Sequence, residues 1–346
     1  MNNFPLTMEK LEQVLSRAGD LRVAVVGDLF LDRYLHIDRG LDEDSLETGE
    51  VAYQVSRVVA SPGAAGTVIN NLAALGVGVI LPVAFIGDDG EGYELLQALG
   101  RLKGVSTGHL VTTPERRTPT YTKPMHHHPG REPVEGNRLD IRNRQATPDA
   151  VIRALQDQIT ALWPTLVGVI ILDQVGDPAT GVITDAMASH LALLAEAEPR
   201  VVTLADSRER IGVFRNLALK PNKREALRAA GLPLDASAGQ LDQAILSLAK
   251  KGAPVFCTQS EEGILLATSP GKPLNRVSGI EVRGPIDPVG AGDSTSAGIV
   301  LGLTAGLSPV EAAALGCLVA SITVQKLGTT GTASPQELRA ALGLRQ

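Results

Sequence analysis

Cysteine is nearly missing from the 346 residues: only Cys257 and Cys317 occur, both among apolar neighbours, so no disulfide framework holds the chain and a reducing cytosol suits it. No apolar run approaches the roughly 20 residues of a membrane-spanning helix. The opening stretch, Met1 to Asp20, carries Glu9, Lys10, Glu12 and Arg17 and lacks the basic-then-apolar order of a secretory leader. A cytoplasmic protein without a membrane partner is expected. Basic charge is not in excess either. With 32 Lys and Arg against 38 Asp and Glu, the net charge of −6 gives no electrostatic reason for a nucleic-acid partner. Two nucleotide fingerprints are absent as well. The first strand ends in Gly27-Asp28-Leu29-Phe30 and not in Gly-x-Gly-x-x-Gly, which argues against a nicotinamide-dependent dehydrogenase. No Gly-x-x-x-x-Gly-Lys-Ser/Thr occurs, which argues against a P-loop ATPase.

What the chain does have is material for a large core, 44% hydrophobic residues against 20% charged. Residues 21–26 form a near-continuous apolar run ending at Gly27-Asp28, the pattern of a strand buried on both faces of a parallel sheet. Residues 33–38 and 50–58 alternate polar and apolar side chains instead, which predicts antiparallel strands with one wet face. A small-residue turn at 61–66 opens a helix that runs to Leu75 and stops at Gly76, followed by a strand over 77–85 and a helix to Leu99. From Val105 the rhythm breaks: residues 111–113, 118–123 and 137–142 read as further strands of the small sheet. Between them, His126, His127 and His128 raise a metal site on composition, yet three adjacent histidines cannot all face one ion from a strand, and Pro129-Gly130 predicts a solvent loop. Helix and strand then alternate to the end of the chain. This is the rhythm of a doubly wound α/β sheet. No internal repeat or low-complexity linker interrupts it, so residues 1–346 are expected to form one domain with a small sheet inserted.

The chemistry concentrates at a few junctions. Carboxylates end successive buried strands, at Asp28, Asp173 and Asp206, and open sheets of this kind bind ligands at that edge. Gly290 and Gly292 carry no side chain, so their backbone N–H groups can approach a ligand closely. The helix predicted over 293–304 points its free N–H groups and dipole at the same spot, a setting for an anion, and Asp293 stands at the junction. Read without a ligand, Asp293 is an acidic residue near a helix cap. Asn222 with Glu225 reads equally as a capping box or as a functional pair.

These residues carry a resemblance. Asp287-Pro288-Val289-Gly290-Ala291-Gly292-Asp293-Ser294 resembles, over its whole length, the C-terminal signature of the ribokinase-like (PfkB) carbohydrate kinases. Val25-Val26-Gly27-Asp28 with Asp32, the turn and helix over 62–76, Gly87-Asp88, Pro221-Asn222 with Glu225, Thr258 with Gly263, and Lys326-Leu327-Gly328-Thr329 follow in family order, so the likeness covers nearly the whole chain. Residues 27–34, Arg138-Leu139-Asp140 and 326–329 are most similar to the D-glycero-D-manno-heptose-7-phosphate kinase domain within that family. The chain ends soon after its last helix, so the nucleotidyltransferase half of the bifunctional relatives is expected to be missing.

The resemblance implies a three-layer α/β/α sandwich with a mainly parallel central sheet and a small inserted β-sheet lid, its segments roughly 32–60 and 105–143. It implies transfer of the γ-phosphoryl group of ATP to a hydroxyl of a sugar or sugar phosphate, with Asp293 as base and Gly290, Ala291 and Gly292 as anion hole. Asn222 and Glu225 would hold Mg²⁺, partly through water, and Asp287 with backbone oxygens near Thr329–Gly331 would form a monovalent-cation site for K⁺. Thr258, Ser260 and Gly263 would lie along the nucleotide, with Cys317 and Ser321 flanking the base. Asp28 and Asp32 would accept from sugar hydroxyls, with Gly63 and Asn71 close by. At two positions the chain departs from its relatives: Ala64 replaces the second glycine of the turn, and Thr67 replaces an Asn, so the sugar contact must differ. Lys123, Arg138 and Arg142 are candidates to read a substrate phosphate. The lid would exclude water, and its outer face would pair with a second copy in a homodimer. A nucleoside kinase, or a kinase-shaped protein that binds sugar or nucleotide without turnover, are the alternative readings.

Overall fold

The computed structural model describes residues 4–328 and 330–344. Its centre is an eight-stranded sheet in the order Asn275–Val277, Ile264–Ala267, Val255–Thr258, Ala218–Leu219, Val202–Ser207, Gly168–Asp173, Arg22–Gly27, Val79–Val83. The six strands from Val255–Thr258 to Val79–Val83 run parallel, and the other two add antiparallel at the edge. All six residues of Gly168–Asp173 and five of six in Arg22–Gly27 are buried, as the apolar runs require, because helices cover the sheet. The result is the expected three-layer α/β/α arrangement, closed around one continuous hydrophobic core.

Two of those helices position the chemistry. Ala291–Thr304 packs on Gly168–Asp173 and Val202–Ser207, and Pro309–Thr323 packs along it. Both are apolar almost all round. Their backbones approach closely because Gly298 faces Gly316: a Cβ on Gly298 would stand 3.0 Å from the Gly316 Cα.

A second sheet stands beside the first, in the order Val134–Glu135, Thr120–His127, Leu29–Asp38, Val55–Ala64, with Leu139–Ile141 also paired to Thr120–His127. Leu29–Asp38 pairs antiparallel with Val55–Ala64, as the alternation predicts, and parallel with Thr120–His127.

Four expectations change here. Residues 61–66 form no turn, because Ser61, Pro62, Gly63 and Ala64 are rungs of the ladder opposite Asp32, Leu31, Phe30 and Leu29, and the strand runs directly into the helix Ala65–Ala74. The strand expected over 77–85 is two, Val79–Val83 in the main sheet and Phe85–Gly87 outside it. Val111–Thr113 pairs with Phe85–Gly87 and not with the second sheet. His126 and His127 sit in a strand and not in a solvent loop: His127 Nε2 lies 2.8 Å from His36 Nδ1, and His126 packs edge-on against Tyr53. Among the described residues, no group of three or more His, Cys, Asp or Glu is arranged to hold a metal ion.

The strand-to-helix junction has a cost. Ala64 adopts φ 53°, ψ −116°, a region that only glycine enters freely. Relief of about 1–3 kcal/mol of strain outweighs the ~0.4–1 kcal/mol that glycine costs through the unfolded chain. Ala64→Gly is therefore expected to stabilise the protein by about 1 kcal/mol, read as a higher denaturant midpoint at unchanged slope; a lower midpoint would refute the strain.

Candidate active site

The chain reaches the site through Gly290, the N-cap of Ala291–Thr304, in the left-handed region at φ 81°. Any side chain there would be strained by the backbone and would also meet the Thr67 Cγ2 at 3.2 Å. No side chain caps this helix, so its first N–H groups stay open, with one exception. The Ala291 N–H donates to the Pro288 carbonyl at 3.1 Å, which corrects its expected place in the anion hole. Among the described residues, Gly290 and Gly292 N–H meet no backbone carbonyl.

A cavity of about 650 Å³ opens at this helix start. Asp293, Gly290, Ala291 and Gly292 line one end, and Asp206, Lys220, Asn222 and Glu225 its floor. Thr258, Ser260 and Gly263 continue the wall, and Cys317 and Ser321 of Pro309–Thr323 close the far side. Of the 26 residues that line it, 11 were named from the sequence as site residues. Thr258 ends a core strand, while Ser260 at φ 51° and Gly263 at φ 93° turn the chain back. Burial pushes the Cys317 thiol up to about 12, so it is an apolar wall and no nucleophile. The Ser321 hydroxyl is spent on the Leu318 carbonyl.

The capping-box reading of Asn222 and Glu225 holds, and both residues also line the cavity. Asn222 Oδ1 accepts from the Glu225 N–H at 2.9 Å, and Glu225 Oε2 accepts from the Asn222 N–H at 2.7 Å, a complete capping box. Asn222 Nδ2 donates to Glu225 Oε1 at 2.8 Å, leaving each carboxylate oxygen one further lone pair toward the cavity. Sequence reasoning missed Lys220 and Arg208. Lys220 is 3% exposed with its Nζ 2.7 Å from Asp206 Oδ2, and the Ser296 hydroxyl donates to the same oxygen at 3.0 Å. A charged residue directly after the short apolar strand Ala218–Leu219 was the available signal.

Like charges gathered in a poorly hydrated cavity shift one another. Burial first, then Asp206, push Asp293 up to about 7 against the pull of Lys220 and Arg208. Glu225 rises to about 7 for the same two reasons, again opposed by Lys220. The oxygen donors of Asn222, Glu225 and Asp206 fit a hard divalent cation that keeps water and phosphate ligands, whereas they build no all-protein cage.

A second cavity of about 330 Å³ is lined by Asp28, Phe30, Tyr121 and Arg142, and Gln174 and Arg208 line both cavities. Asp28 is 3% exposed and corrects its expectation in part: Oδ2 accepts from the Gln174 and Val175 N–H groups and Oδ1 from that of Val182, so three of its four lone pairs hold the loop after Asp173. Asp32 is half-buried against Gly63, where a Cβ would come within 2.6 Å of its Oδ2. Burial raises its pKa, opposed by Lys123 and Arg138. Two other expected sugar contacts are not surfaces. Thr67 is 2% exposed and packs under Gly290, and Asn71 is fully buried, its Nδ2 donating to the Thr67 carbonyl at 2.9 Å. Asp287 accepts from the Val289 and Gly328 N–H groups, and Thr329 of the expected cation site lies outside the described residues. Arg138 and Arg142 both pair with Asp140 and stack on Tyr121, while Lys123 Nζ donates to the Tyr34 hydroxyl.

The fold is an α/β protein with two adjoining cavities that share Gln174 and Arg208, and comparison with known proteins points to the carbohydrate-kinase class. Residues 185–337 match the pfkB family carbohydrate kinases. The chain is 31% identical over 321 residues to the Bifunctional protein HldE of Azorhizobium caulinodans, covering 92% of this chain and 64% of that protein. It is 31% identical over 342 residues to the HldE of Pelobacter propionicus, covering 97% and 66%. The chain therefore spans slightly less than two thirds of these relatives' length. Among solved structures it shares its fold with the Arabidopsis thaliana ribokinase complexed with ribose and ATP, at TM-score 0.68 and 18% identity, covering 93% of this chain and 98% of that one. The phosphofructokinase-2 of Escherichia coli in complex with potassium superposes at TM-score 0.70 and 17% identity, covering 94% and 98%. The chain thus resembles the ribokinase-like pfkB carbohydrate kinases: their family model matches residues 185–337, and the HldE proteins align along nearly all of it.

A raised carboxyl pKa has a consequence for folding. The folded chain binds protons at Asp293 and Glu225 more tightly than the unfolded chain, whose values are 3.8 and 4.5. These groups make the ligand-free protein more stable as pH falls through about 7, a gain complete below the unfolded values. Asp293→Asn is expected to raise the melting temperature at pH 8 and to raise it markedly less at pH 5, which lies between the folded and unfolded values. Equal shifts at both pH values would contradict the burial argument.

Proposed function

We propose that the chain transfers the γ-phosphoryl group of ATP to a hydroxyl of a sugar or sugar phosphate. One observation carries the reading: a carboxyl with a pKa near 7, Asp293, stands at an open helix start in the larger cavity, and that cavity adjoins a second one across Gln174 and Arg208. A base with that pKa suits proton transfer at neutral pH. The larger cavity takes ATP, with Thr258, Ser260 and Gly263 along it and Cys317 and Ser321 against the base. Asn222 and Glu225 are the residues that would hold Mg²⁺, which neutralises phosphate charge when bound. Asp287 is the protein ligand for a monovalent cation such as K⁺.

The acceptor sits in the smaller cavity. The last lone pair of Asp28 accepts from one of its hydroxyls there, and Asp32, oriented by Gly63 and lining neither cavity, accepts from the part of the acceptor that extends toward Asp293. The reacting hydroxyl lies between Asp293, which takes its proton, and the open N–H groups of Gly290 and Gly292, which hold the developing charge. Arg142 on the cavity wall favours an acceptor already carrying a phosphate, and the similarity to HldE makes heptose 7-phosphate the first candidate. The second sheet acts as a lid that keeps water from taking the phosphoryl group. Its exposed Tyr53, Val55 and Val58 suit pairing with a second copy as a homodimer.

The test is ATP consumption against a panel of sugars, sugar phosphates and nucleosides. Asp293→Asn is expected to lower kcat by about 10²–10⁴ with ATP binding retained; near-normal turnover in that variant, or nucleotide binding without turnover across the panel, would remove the assignment. Gly63→Ala displaces the Asp32 carboxylate and is expected to raise the acceptor KM about tenfold at unchanged KM for ATP, since a misplaced orienting group is costly. A matching rise in both constants would instead mean a general distortion.

A further inference from the structure

The loop between Asp173 and Thr184 walls the smaller cavity through Val175, Gly176, Thr180 and Gly181, and side chains from distant parts of the chain hold it in place. Asp28 binds its N–H groups at Gln174, Val175 and Val182. Three consecutive carbonyls are held from the other side. The Thr147 N–H donates to the Ala179 carbonyl at 2.7 Å, Arg116 Nη2 to that of Thr180 at 2.7 Å, and the Thr147 hydroxyl to that of Gly181 at 2.9 Å.

Arg116 and Thr147 flank the part of the second sheet formed by Thr120–His127, Val134–Glu135 and Leu139–Ile141. Arg116 also closes the base of that part, because its Nη1 donates to the Gln145 and Ala146 carbonyls at 2.6 and 3.2 Å. Beside it the Asn143 amide brackets Arg117, accepting from its N–H at 3.0 Å and donating to its carbonyl at 2.8 Å. One guanidinium thus joins the chain entering the second sheet, the chain leaving it, and the wall of the smaller cavity.

A packing role explains Arg116 poorly. The residue is 4% exposed, no carboxylate opposes its charge among the described residues, and its Nε is buried without a partner. Taking such a charge out of water costs several kcal/mol, and here no opposite charge offsets it. What arginine supplies is a planar, rigid fork that reaches two segments at once, which neither a lysine nor an apolar side chain can do. The Phe85 ring, its centroid 5.5 Å from the guanidinium carbon, lines the same cavity.

We propose that Arg116 is a positioning residue: its fork locks residues 174–183 to the base of the second sheet and so fixes the shape of the smaller cavity for the acceptor. The inference rests on the phosphotransferase reading above for what occupies that cavity. Arg116 lines neither cavity, so it acts through Thr180 and not by touching a substrate. Of the loop, only Gln174 reaches the larger cavity. Loosening the lock therefore disturbs the acceptor far more than the nucleotide.

The test compares Arg116→Lys, which keeps the charge and loses the fork, with Thr147→Val, which keeps the shape and loses the bond to Gly181. The acceptor is the panel member that the wild type phosphorylates, with D-glycero-D-manno-heptose 7-phosphate as the first probe. Arg116→Lys is expected to lose about 10² and Thr147→Val about tenfold in kcat/KM for the acceptor, each with the KM for ATP within about twofold of wild type. Amide hydrogen exchange should rise over 174–183 in both, including Gln174, Val175 and Val182, which Arg116 does not touch, and stay unchanged over Ala291–Thr304. Thr147→Val, the milder change, decides alone if the lysine variant does not fold. Equal loss toward acceptor and ATP, exchange that rises throughout the protein, or wild-type exchange over 174–183 would overturn the lock. If the wild type phosphorylates nothing in the panel while exchange rises over 174–183 alone, the lock stands and the acceptor reading falls.

Discussion

Everything at the carboxyl edge of this sheet depends on holding carboxylates together in a cavity that solvates them poorly. Asp206, Glu225 and Asp293 share one cavity with one buried ammonium, and burial and mutual repulsion drive two of them toward neutrality at physiological pH. No folded chain gains stability from such a cluster, so the surrounding structure must enforce it. The enforcement is local and covalent. Three strand ends deliver Asp206, Lys220 and Thr258 from neighbouring rungs of the sheet, and a helix packed across two of its strands delivers Asp293. Core packing behind those elements supplies the free energy that the cluster costs.

The smaller cavity is ordered by different means. Asp28 is committed to three backbone amides, so its carboxylate serves first as the tether of the loop beginning at Gln174. That loop walls the smaller cavity and touches the larger one, which makes one buried side chain responsible for the boundary between them. Tyr121, with Arg138 and Arg142 over its ring and Phe30 at its edge, forms a second rigid wall from the inserted sheet.

Legibility in the sequence followed the range of the interactions. The parallel strands were readable because double-sided burial writes an unbroken apolar run, and Gly290 to Asp293 because a helix start without a cap is a local signal. Ser61 to Gly66 was misread as a turn because small residues suit a tight turn and a close-packed rung equally, and only the partner strand decides. Thr67 and Asn71 were expected to be sugar contacts from the family resemblance alone, yet the face they occupy is set by packing against Gly290 and the segment at Gly331. Lys220 escaped notice because its meaning comes from Asp206, Glu225 and Asp293, which lie on other elements.

Val55–Ala64 passes into Ala65–Ala74 without an intervening residue, and that helix carries Thr67 against the position that Gly290 must keep bare. Sheet strand, helix and glycine are thus joined through one continuous stretch of backbone that bends at the strained Ala64. The placing of the second sheet and the room kept at the start of Ala291–Thr304 are therefore not independent: they are tied by the chain's connectivity as much as by its side chains.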